Sequence, residues 1–309
     1  MTGRNATSSR SRRDNPSIPR RDNPPIPQRA TPSISRRDNP AFGSRKRRDQ
    51  LAAAFQAQGE EYDQLRPTYP AKAIDFLMDA IPTRYRPDRQ HPPQSPQVLD
   101  LGAGTGKLAL RLAERGCDVL ALDLSAHMLE HLIRRADQAS PETLTGRVRC
   151  RVASAEATYA ATQVYDLVTV AQAWHWFDAD AAAREIDRVL APDGRLALVW
   201  NTLDVTVPWV HRYSRIMHAG DVQREDFLPR VPGFELVHRQ AVRWEDPLST
   251  ADLINLARTR SYVITASDHQ RERVFSNLDW YLHEHLGYAR GAVVGLPYRT
   301  DALIFRRTG

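Results

Sequence analysis

From Val98 onward the sequence alternates short apolar runs with stretches of helical periodicity, and this alternation limits the fold more than any other feature. Helical stretches from Lys107 to Arg115, Ser125 to Ala139 and Ala179 to Leu190 separate runs that have the length of buried strands. Strands joined through helices pair in parallel with right-handed crossovers. We therefore predict an α/β fold with a doubly wound parallel sheet. The five apolar runs are VLDL, DVLALD, RVRCRVA, YDLVTVAQA and RLALVWN.

The first run leads into three glycines within VLDLGAGTGKLAL, residues 98–110. Ligands of doubly wound sheets bind beyond the carboxyl ends of the strands, so bare backbone here predicts close approach of a ligand. A phosphate loop of the type GxxxxGK[ST] is excluded, because Leu101 stands at its first glycine position and Leu108 replaces its hydroxyl. The GxGxG spacing also departs from the GxGxxG pattern of dinucleotide sites, which weakens NAD as the ligand without excluding it.

An acidic residue, Asp123, closes the second predicted strand about 20 residues after the glycines. A carboxylate at this place can accept hydrogen bonds from both ribose hydroxyls of an adenosine. NAD and S-adenosylmethionine both contain that ribose, so Asp123 predicts an adenosine ligand without choosing between them. The alternative is a structural role, as an N-cap or turn residue before the helix that starts at Ser125.

The stretch AQAWHWFD, residues 171–178, concentrates aromatic side chains after the fourth predicted strand. Trp174 and Trp176 could wall a dry cavity, and aromatic faces attract cations such as a sulfonium. Plain core packing is the alternative for each tryptophan. His175 has a pKa range suited to a general base for a hydroxyl or carboxyl acceptor. A carboxylate is already ionised and needs no base, which favours a role for His175 in orienting the loop.

The positive charge of the chain is confined to its N-terminal part, because residues 1–50 hold 13 of the 43 basic side chains but 4 of the 37 acidic ones. The remainder is mildly acidic, which argues against nucleic acid as the substrate. The N-terminal part repeats with a period of eight, as in RRDNPSIP and RRDNPPIP, and such a repeat cannot bury a core. We predict a disordered Arg/Pro-rich tail over residues 1–48 and one globular domain over 49–309. A dispensable tail is favoured over an anionic tether or a targeting arm.

Cysteine and histidine usage gives mostly negative expectations. Cys117 and Cys150 are isolated, so they indicate neither a zinc site nor a disulfide framework and fit a reducing cytoplasm. His127 and His131 share a helix face, but no HExxH context or acidic partner follows, so we predict no metal site. No apolar stretch approaches the roughly 20 residues of a membrane span, and no signal-peptide core is present. We expect a cytoplasmic protein without a membrane partner.

Several of these segments together resemble the class I S-adenosylmethionine-dependent methyltransferases of the small-molecule type, often labelled methyltransferase type 11. Within that group the sequence looks most like the trans-aconitate-methyltransferase-like branch. The resemblance runs in the expected order over most of residues 55–309, which makes it more specific than any one motif. The segments that carry it are YDQLRPTYP, VLDLGAGTGKL, VLALDLSAHML, ASAEA, AQAWHWFD, PDGRLALVWN and LPYRTDALIFRR.

The resemblance implies S-adenosylmethionine as the cofactor and a set of residues that would hold it. Asp123 would take the ribose, and Leu124 would lie beside the adenine. The methionine side would be shaped by Asp100, Gly102, Ala103 and Gly104. The base would be bordered by Ala155 and Glu156, and Gln172 would follow the cofactor after the fourth strand.

The resemblance also implies a seven-stranded sheet that ends in an antiparallel hairpin, formed by residues 234–244 and 300–307. Helical insertions over about 202–230 and 249–287 would shape the acceptor pocket, with helices over 249–261 and 268–286. A segment before the first helix would close over the site as a lid. The implied lid and acceptor residues are Tyr62, Arg66, Trp174, Trp209, Tyr213, Arg260 and Tyr262.

The expected function is transfer of a methyl group from S-adenosylmethionine to a small oxygen, nitrogen or carbon nucleophile, such as a carboxylate or a hydroxyl. A cofactor-binding module without catalysis is the alternative, because no strong catalytic acid or base is evident. An NAD-dependent oxidoreductase ranks third. The [DN]PP[FY] segment of methyltransferases that act on base amino groups is replaced by AWHW, which again disfavours nucleic acid. The acceptor and the oligomeric state stay open.

Overall fold

The computed structural model describes residues 65–82, 95–219 and 223–309. The tail expected over residues 1–48 and Tyr62, the residue expected in a lid, lie outside these ranges. No helix within them is long and apolar enough to cross a membrane. The α-helices described are α1 (Ala71–Asp79), α2 (Lys107–Ala113), α3 (Ala126–Gln138), α4 (Ala179–Val189), α5 (Pro208–Ile216), α6 (Thr250–Asn255), α7 (Ser261–Thr265) and α8 (Asp268–Trp280).

One mixed sheet contains β1 (Gln97–Leu101), β2 (Asp118–Asp123), β3 (Arg147–Val152), β4 (Tyr165–Ala171), β5 (Leu190–Leu203), β6 (Phe234–Ser249) and β7 (Val293–Arg307). The strand order is β3-β2-β1-β4-β5-β7-β6. The first five strands in the chain pair in parallel, and β7 lies antiparallel between β5 and β6. This order confirms the predicted doubly wound sheet with its antiparallel C-terminal hairpin.

Alternate residues of the central strands pack on opposite faces of the sheet. In β1, Leu99 and Leu101 belong to a core that includes α4, whereas Val98 belongs to a core that includes α1, α2 and α3. Strands buried on both faces carry apolar side chains at nearly every position, which is why they appear as continuous apolar runs. Ligands of such sheets bind at the carboxyl edge, in the loops that follow the strands.

A third buried cluster joins the inserted helices to the carboxyl edge. It includes Leu203 at the end of β5, Tyr213 in α5, Leu253 in α6, Tyr281 after α8 and Tyr298 in β7. Because these residues come from both predicted insertions and from two strands, the insertions share one core. The helices therefore form a layer above the end of the sheet, where an acceptor pocket is expected.

The helix predicted over residues 249–261 is interrupted. α6 ends at Asn255, a 3-10 turn follows, and Arg260 has an extended backbone before α7 begins. Residues three apart lie on the same side of a 3-10 turn, so Leu256 and Thr259 are both buried there. The helix predicted over 268–286 is α-helical to Trp280 and then continues as a π turn, residues 281–285.

The C-terminal hairpin is longer than the predicted strands over 234–244 and 300–307. Pro247 is accommodated because β6 is an edge strand, and Pro297 lies past the last pair between β5 and β7, which joins Leu203 to Tyr298. The extra residues carry the hairpin beyond the carboxyl end of β5, beside the expected site.

Candidate cofactor and acceptor site

The glycine-rich loop makes a turn of left-handed residues between β1 and α2. Gly102, Gly104 and Gly106 have φ values of 67°, 55° and 81°, and Gly106 is the N-cap of α2. The loop is held to the next strand because the amide of Ala103 donates to the carbonyl of Leu122 at 2.9 Å. Residues with a Cβ seldom adopt this region, so the backbone itself demands glycine.

The three glycines differ in what surrounds them. A Cβ at Gly102 would lie 2.6 Å from the Cβ of Ala173, and a Cβ at Gly106 would lie 2.1 Å from Cδ1 of Leu132. A Cβ at Gly104 would meet no described atom closer than Sδ of Met128, at 3.7 Å. Close packing within the protein thus accounts for Gly102 and Gly106, whereas Gly104 keeps one side open.

Asp123 fixes this loop from the end of β2. Its carboxylate accepts hydrogen bonds from the amide of Gly104 at 2.9 Å and from the amide of Ser125 at 2.8 Å. Burial raises the pKa of Asp123, and the hydrogen bonds from backbone amides oppose that rise. The bond to Ser125 gives Asp123 the turn role considered above, but the N-cap of α3 is Ser125 itself. A carboxylate offers about four acceptor sites, more than these backbone amides use, so the ribose role of Asp123 stays a prediction compatible with this geometry.

Asp100, next to the loop, is a buried acid with one unsatisfied oxygen. Its Oδ1 accepts a hydrogen bond from the hydroxyl of Thr169 at 2.6 Å, while Oδ2 has no partner among the described residues. Burial raises the pKa of Asp100 from 3.8 to about 7; the Thr169 bond lowers it and the charge of Asp123 raises it further. An orphaned acceptor of this kind fits a cationic group, such as the ammonium of a bound methionine moiety.

We expect the substitution Asp100→Asn to change how stability depends on pH. Between about pH 4 and 7, Asp100 is protonated in the folded protein and ionised in the unfolded chain, because folding raises its pKa from 3.8 to about 7. The free energy of unfolding should therefore fall across this window as pH rises, by up to about 1.4 kcal/mol per pH unit, and level off above it. Urea unfolding at several pH values should show this slope in the wild type and a shallower one in the variant. Identical slopes would contradict the assignment.

The expected adenine side presents exposed apolar surface. Leu124 is 61% exposed and Val152, which pairs with Asp123 across β2 and β3, is 55% exposed. Ala155 is buried, and Glu156 accepts a hydrogen bond from the amide of Asp178 at 2.9 Å. Glu156 thus holds the loop that starts α4. A stacked adenine base would cover this apolar patch, which lies beside Asp123, the predicted ribose-binding residue.

Two polar residues tie the ends of β4 and β5 together. Gln172 has a left-handed backbone with φ of 58°, and its Nε2 donates to the carbonyl of Asn201 at 2.8 Å. Asn201 in turn donates from Nδ2 to the carbonyl of Thr68 at 2.9 Å and accepts at Oδ1 from the hydroxyl of Thr300 at 2.6 Å. Trp244 donates to the same hydroxyl at 2.8 Å. Asn201 therefore anchors the segment before α1, which carries Arg66.

Sequence reasoning missed Asn201 as a site residue. It closes the quoted run RLALVWN, and a buried asparagine at the carboxyl end of a parallel strand is the signal that could have singled it out.

Replacing Asn201 by leucine is expected to loosen the segment before α1 more than it loosens the fold. The carbonyl of Thr68 loses its partner, at a cost of about 1–3 kcal/mol. Hydrogen exchange of a peptide spanning residues 65–79 should accelerate at least tenfold. Thr202→Val is the matched control, because Thr202 is equally buried but bonds the carbonyl of Arg299 instead. Equal acceleration in both variants would mean that Asn201 has no special hold on this segment.

The aromatic loop after β4 divides between core and surface. Trp174 is 5% exposed, packs in the core with Phe177, and donates from Nε1 to the carbonyl of Arg230 at 3.3 Å. His175 is exposed and its ring lies 5.1 Å from that of Trp176. Protein atoms cover nearly all of the surface of Trp174, as core packing requires, and its role beside the acceptor stays a prediction. The catalytic role of His175 stays a prediction.

Two of the implied acceptor residues, Tyr213 and Trp209, belong to the third cluster or pack against it. Arg260 is 2% exposed, and its charge opposes the rise that burial causes in the pKa of Tyr213. Arg66 donates to the carbonyl of Thr259, the neighbour of Arg260, at 2.9 Å. Trp209 packs on Tyr213 with ring centroids 6.0 Å apart, whereas Tyr262 stacks on His218 at 3.9 Å and is partly exposed. Arg66 thus contacts the segment that carries Arg260, while Tyr262 belongs to a separate pair.

The chain is similar to known methyltransferases, in agreement with this architecture. A family model described as a methyltransferase domain matches residues 98–194. An uncharacterized methyltransferase of Mycobacterium tuberculosis is 39% identical over 255 residues, which cover 82% of this chain and 95% of the relative. The chain belongs to the class I S-adenosylmethionine-dependent methyltransferases. The resemblance to this class is thereby confirmed, but the trans-aconitate-like branch is not specifically shown.

Two further comparisons extend the methyltransferase match. A methyltransferase-like protein of Schizosaccharomyces pombe is 30% identical over 233 residues, covering 73% of this chain and 84% of the relative. The solved structure of a putative type II methyltransferase from Anaeromyxobacter dehalogenans aligns with a TM-score of 0.53 at 23% identity. It covers 78% of this chain and 97% of the other. The last match concerns the fold alone.

Proposed function

We propose that this methyltransferase transfers a methyl group from S-adenosylmethionine to a small carboxylate acceptor. The open side of Gly104 carries the cofactor assignment. A Cβ there would lie 3.7 Å from Met128, and the amide of Gly104 is held by Asp123, an acid at the end of the adjacent strand. Bare backbone beside a ribose-binding acid suits an adenosyl sulfonium.

The chain's own residues would hold and orient the cofactor. Asp123 would accept from the ribose hydroxyls, and the free Oδ2 of Asp100 would receive the methionine ammonium. Leu124 and Ala155 would supply apolar contacts to the base. When bound, S-adenosylmethionine supplies a methyl group activated by its sulfonium. A site that excludes water favours the transfer, because the charge of the sulfonium is dispersed as the methyl moves to an anionic acceptor.

The acceptor class is inferred from Arg66 and Arg260, which lie on adjacent segments at the carboxyl edge. Arginine is the side chain best shaped to hold a carboxylate through two parallel hydrogen bonds. A carboxylate also reaches the site already ionised, so no general base is required. His175 lies exposed on a 3-10 turn, which suits an orienting role better than proton abstraction from a hydroxyl.

Calorimetric titration of the full chain tests the cofactor assignment. S-adenosylmethionine and S-adenosylhomocysteine should each bind with one-to-one stoichiometry, and NAD should neither bind nor compete. Failure of S-adenosylmethionine to bind the unaltered protein would end the proposal. Competition by NAD would instead revive the oxidoreductase alternative.

Methyl transfer is tested by incubating the protein with methyl-labelled S-adenosylmethionine and a fractionated metabolite extract. A carboxylate acceptor would yield a methyl ester, which releases labelled methanol on mild alkaline treatment. Label that is stable to alkali would identify another nucleophile. Cofactor binding with no transfer to any fraction would favour the binding module without catalysis.

A further inference from the structure

Helix α3 presents a stripe of polar side chains on its exposed face. His127, Glu130, His131 and Arg134 are spaced at i, i+3, i+4 and i+7, so they share one side of the helix. Met128, Leu129 and Leu132 are buried on the other side. The stripe serves no evident part of the cofactor site, and both histidine rings are accessible to solvent.

The two histidine rings face each other at a distance that suits a shared metal ion. Nε2 of His127 and Nε2 of His131 are 3.4 Å apart, with ring centroids separated by 4.8 Å and ring planes nearly perpendicular. Two nitrogens bound to tetrahedral zinc at about 2.0–2.1 Å stand about 3.3–3.4 Å from each other. In this structure the two nitrogens make a long hydrogen bond, which a metal ion bound between them would replace.

We propose that His127 and His131 form a binding site for a divalent transition-metal ion such as Zn²⁺. The Nε2 atoms of the two imidazoles supply two ligands, and water completes the coordination. No group of three or more His, Cys, Asp or Glu side chains is placed to hold a metal within the described ranges, so this is a two-histidine site. Neutral imidazole suits zinc, copper and nickel better than calcium or magnesium.

Glu130 supplies the acidic neighbour that the sequence analysis did not recognise. Its Oε2 lies 3.9 Å from Nδ1 of His127. A carboxylate on that side favours the tautomer with the proton on Nδ1, which leaves the Nε2 lone pair directed at the metal. The negative charge of Glu130 also offsets part of the repulsion between a divalent ion and the guanidinium of Arg134 on the same helix face.

Arg134 opposes metal binding. Its Nη2 lies 2.9 Å from Nδ1 of His131, so it donates to the atom that must carry the proton when Nε2 binds metal. The guanidinium also repels a cation. Arg134 must rotate away when the ion binds, and the site is weaker than it would be without this residue.

Titration of the full chain with Zn²⁺ by calorimetry at neutral pH tests the site. His127→Ala and His131→Ala should each weaken zinc binding at this site at least tenfold, and Arg134→Gln should strengthen it several-fold. His269→Ala is the matched control, because His269 is also exposed and is also the second residue of a helix, α8. Unchanged affinity in His131→Ala, or weaker binding in Arg134→Gln, would overturn the proposal.

Spectroscopy with Cu²⁺ provides an independent measurement. One equivalent of Cu²⁺ should give an electron paramagnetic resonance spectrum with hyperfine splitting from two imidazole nitrogens. That pattern should be lost in either histidine variant and kept in His269→Ala. Circular dichroism of the variants tests whether α3 is intact, since His127 is exposed and His131 is half-buried. A spectrum identical in wild type and His127→Ala would assign the bound copper elsewhere and contradict the site.

Discussion

Replacing Asp123 by alanine is expected to lower the affinity for S-adenosylmethionine at least about 100-fold, since two hydrogen bonds to a charged acceptor are worth about 1.5–3 kcal/mol each. The substitution also frees the amides of Gly104 and Ser125, which the carboxylate now holds at 2.9 and 2.8 Å. The loop predicted to lie against the cofactor would thus lose its anchor together with the predicted ribose contact. Calorimetric titration of both proteins measures the loss.

Asp118→Ala is the control for this prediction. Asp118 is the first residue of β2 and Asp123 the last, so the two acids lie at opposite ends of one strand. A variant at Asp118 removes a carboxylate from the same strand but far from the carboxyl edge, and it should bind the cofactor as the wild type does. Wild-type affinity in Asp123→Ala would mean that the cofactor does not use this carboxylate.

Alanine substitutions at Gly106 and Gly104 should separate stability from cofactor binding. At Gly106 the new Cβ would lie 2.1 Å from Cδ1 of the fully buried Leu132. Overpacking costs about 1–3 kcal/mol and the left-handed backbone about 1–2 kcal/mol more, so unfolding should become easier by about 2–5 kcal/mol. This loss is a large part of the total stability of an ordinary domain.

Gly104→Ala should behave differently, because its Cβ would meet only Sδ of Met128 at 3.7 Å. The stability loss should be limited to the backbone term of about 1–2 kcal/mol. Cofactor affinity should fall at least tenfold, because the methyl group occupies the side of the loop left open for the ligand. Urea unfolding and calorimetry on the two variants measure both quantities. Equal destabilisation in both variants would show that Gly104 also serves packing.

The order of the elements was predictable from the sequence because it depends on local patterns. The spacing of apolar residues distinguishes strand from helix, and helices between strands impose parallel pairing. Buried runs such as VLDL and DVLALD are therefore found where expected, as β1 and β2. Element ends were less predictable. The break after Asn255 and the extension of β6 through Pro247 depend on which neighbours each residue meets in the folded chain.

The candidate site was predictable only in part. The glycines and Asp123 were recognised because a bare loop and an acid at neighbouring strand ends form a local signature. Asn201 was missed because its partner Thr68 is 133 residues away, and no local pattern reports a contact across that separation. Trp174 was expected beside the acceptor, yet its 5% exposure depends on the loop that carries Arg230, which packs over it from a distant part of the chain.

By itself, the sequence determined the doubly wound sheet, the left-handed glycine turn and the acid on the adjacent strand, because backbone freedom and apolar period are properties of neighbouring residues. Only the tertiary structure decided which glycine is open and which are packed, since Ala173 and Leu132 approach Gly102 and Gly106 from other elements. It also set the 3.4 Å between the Nε2 atoms of His127 and His131, because a shared helix face brings two side chains near each other without fixing their rotamers.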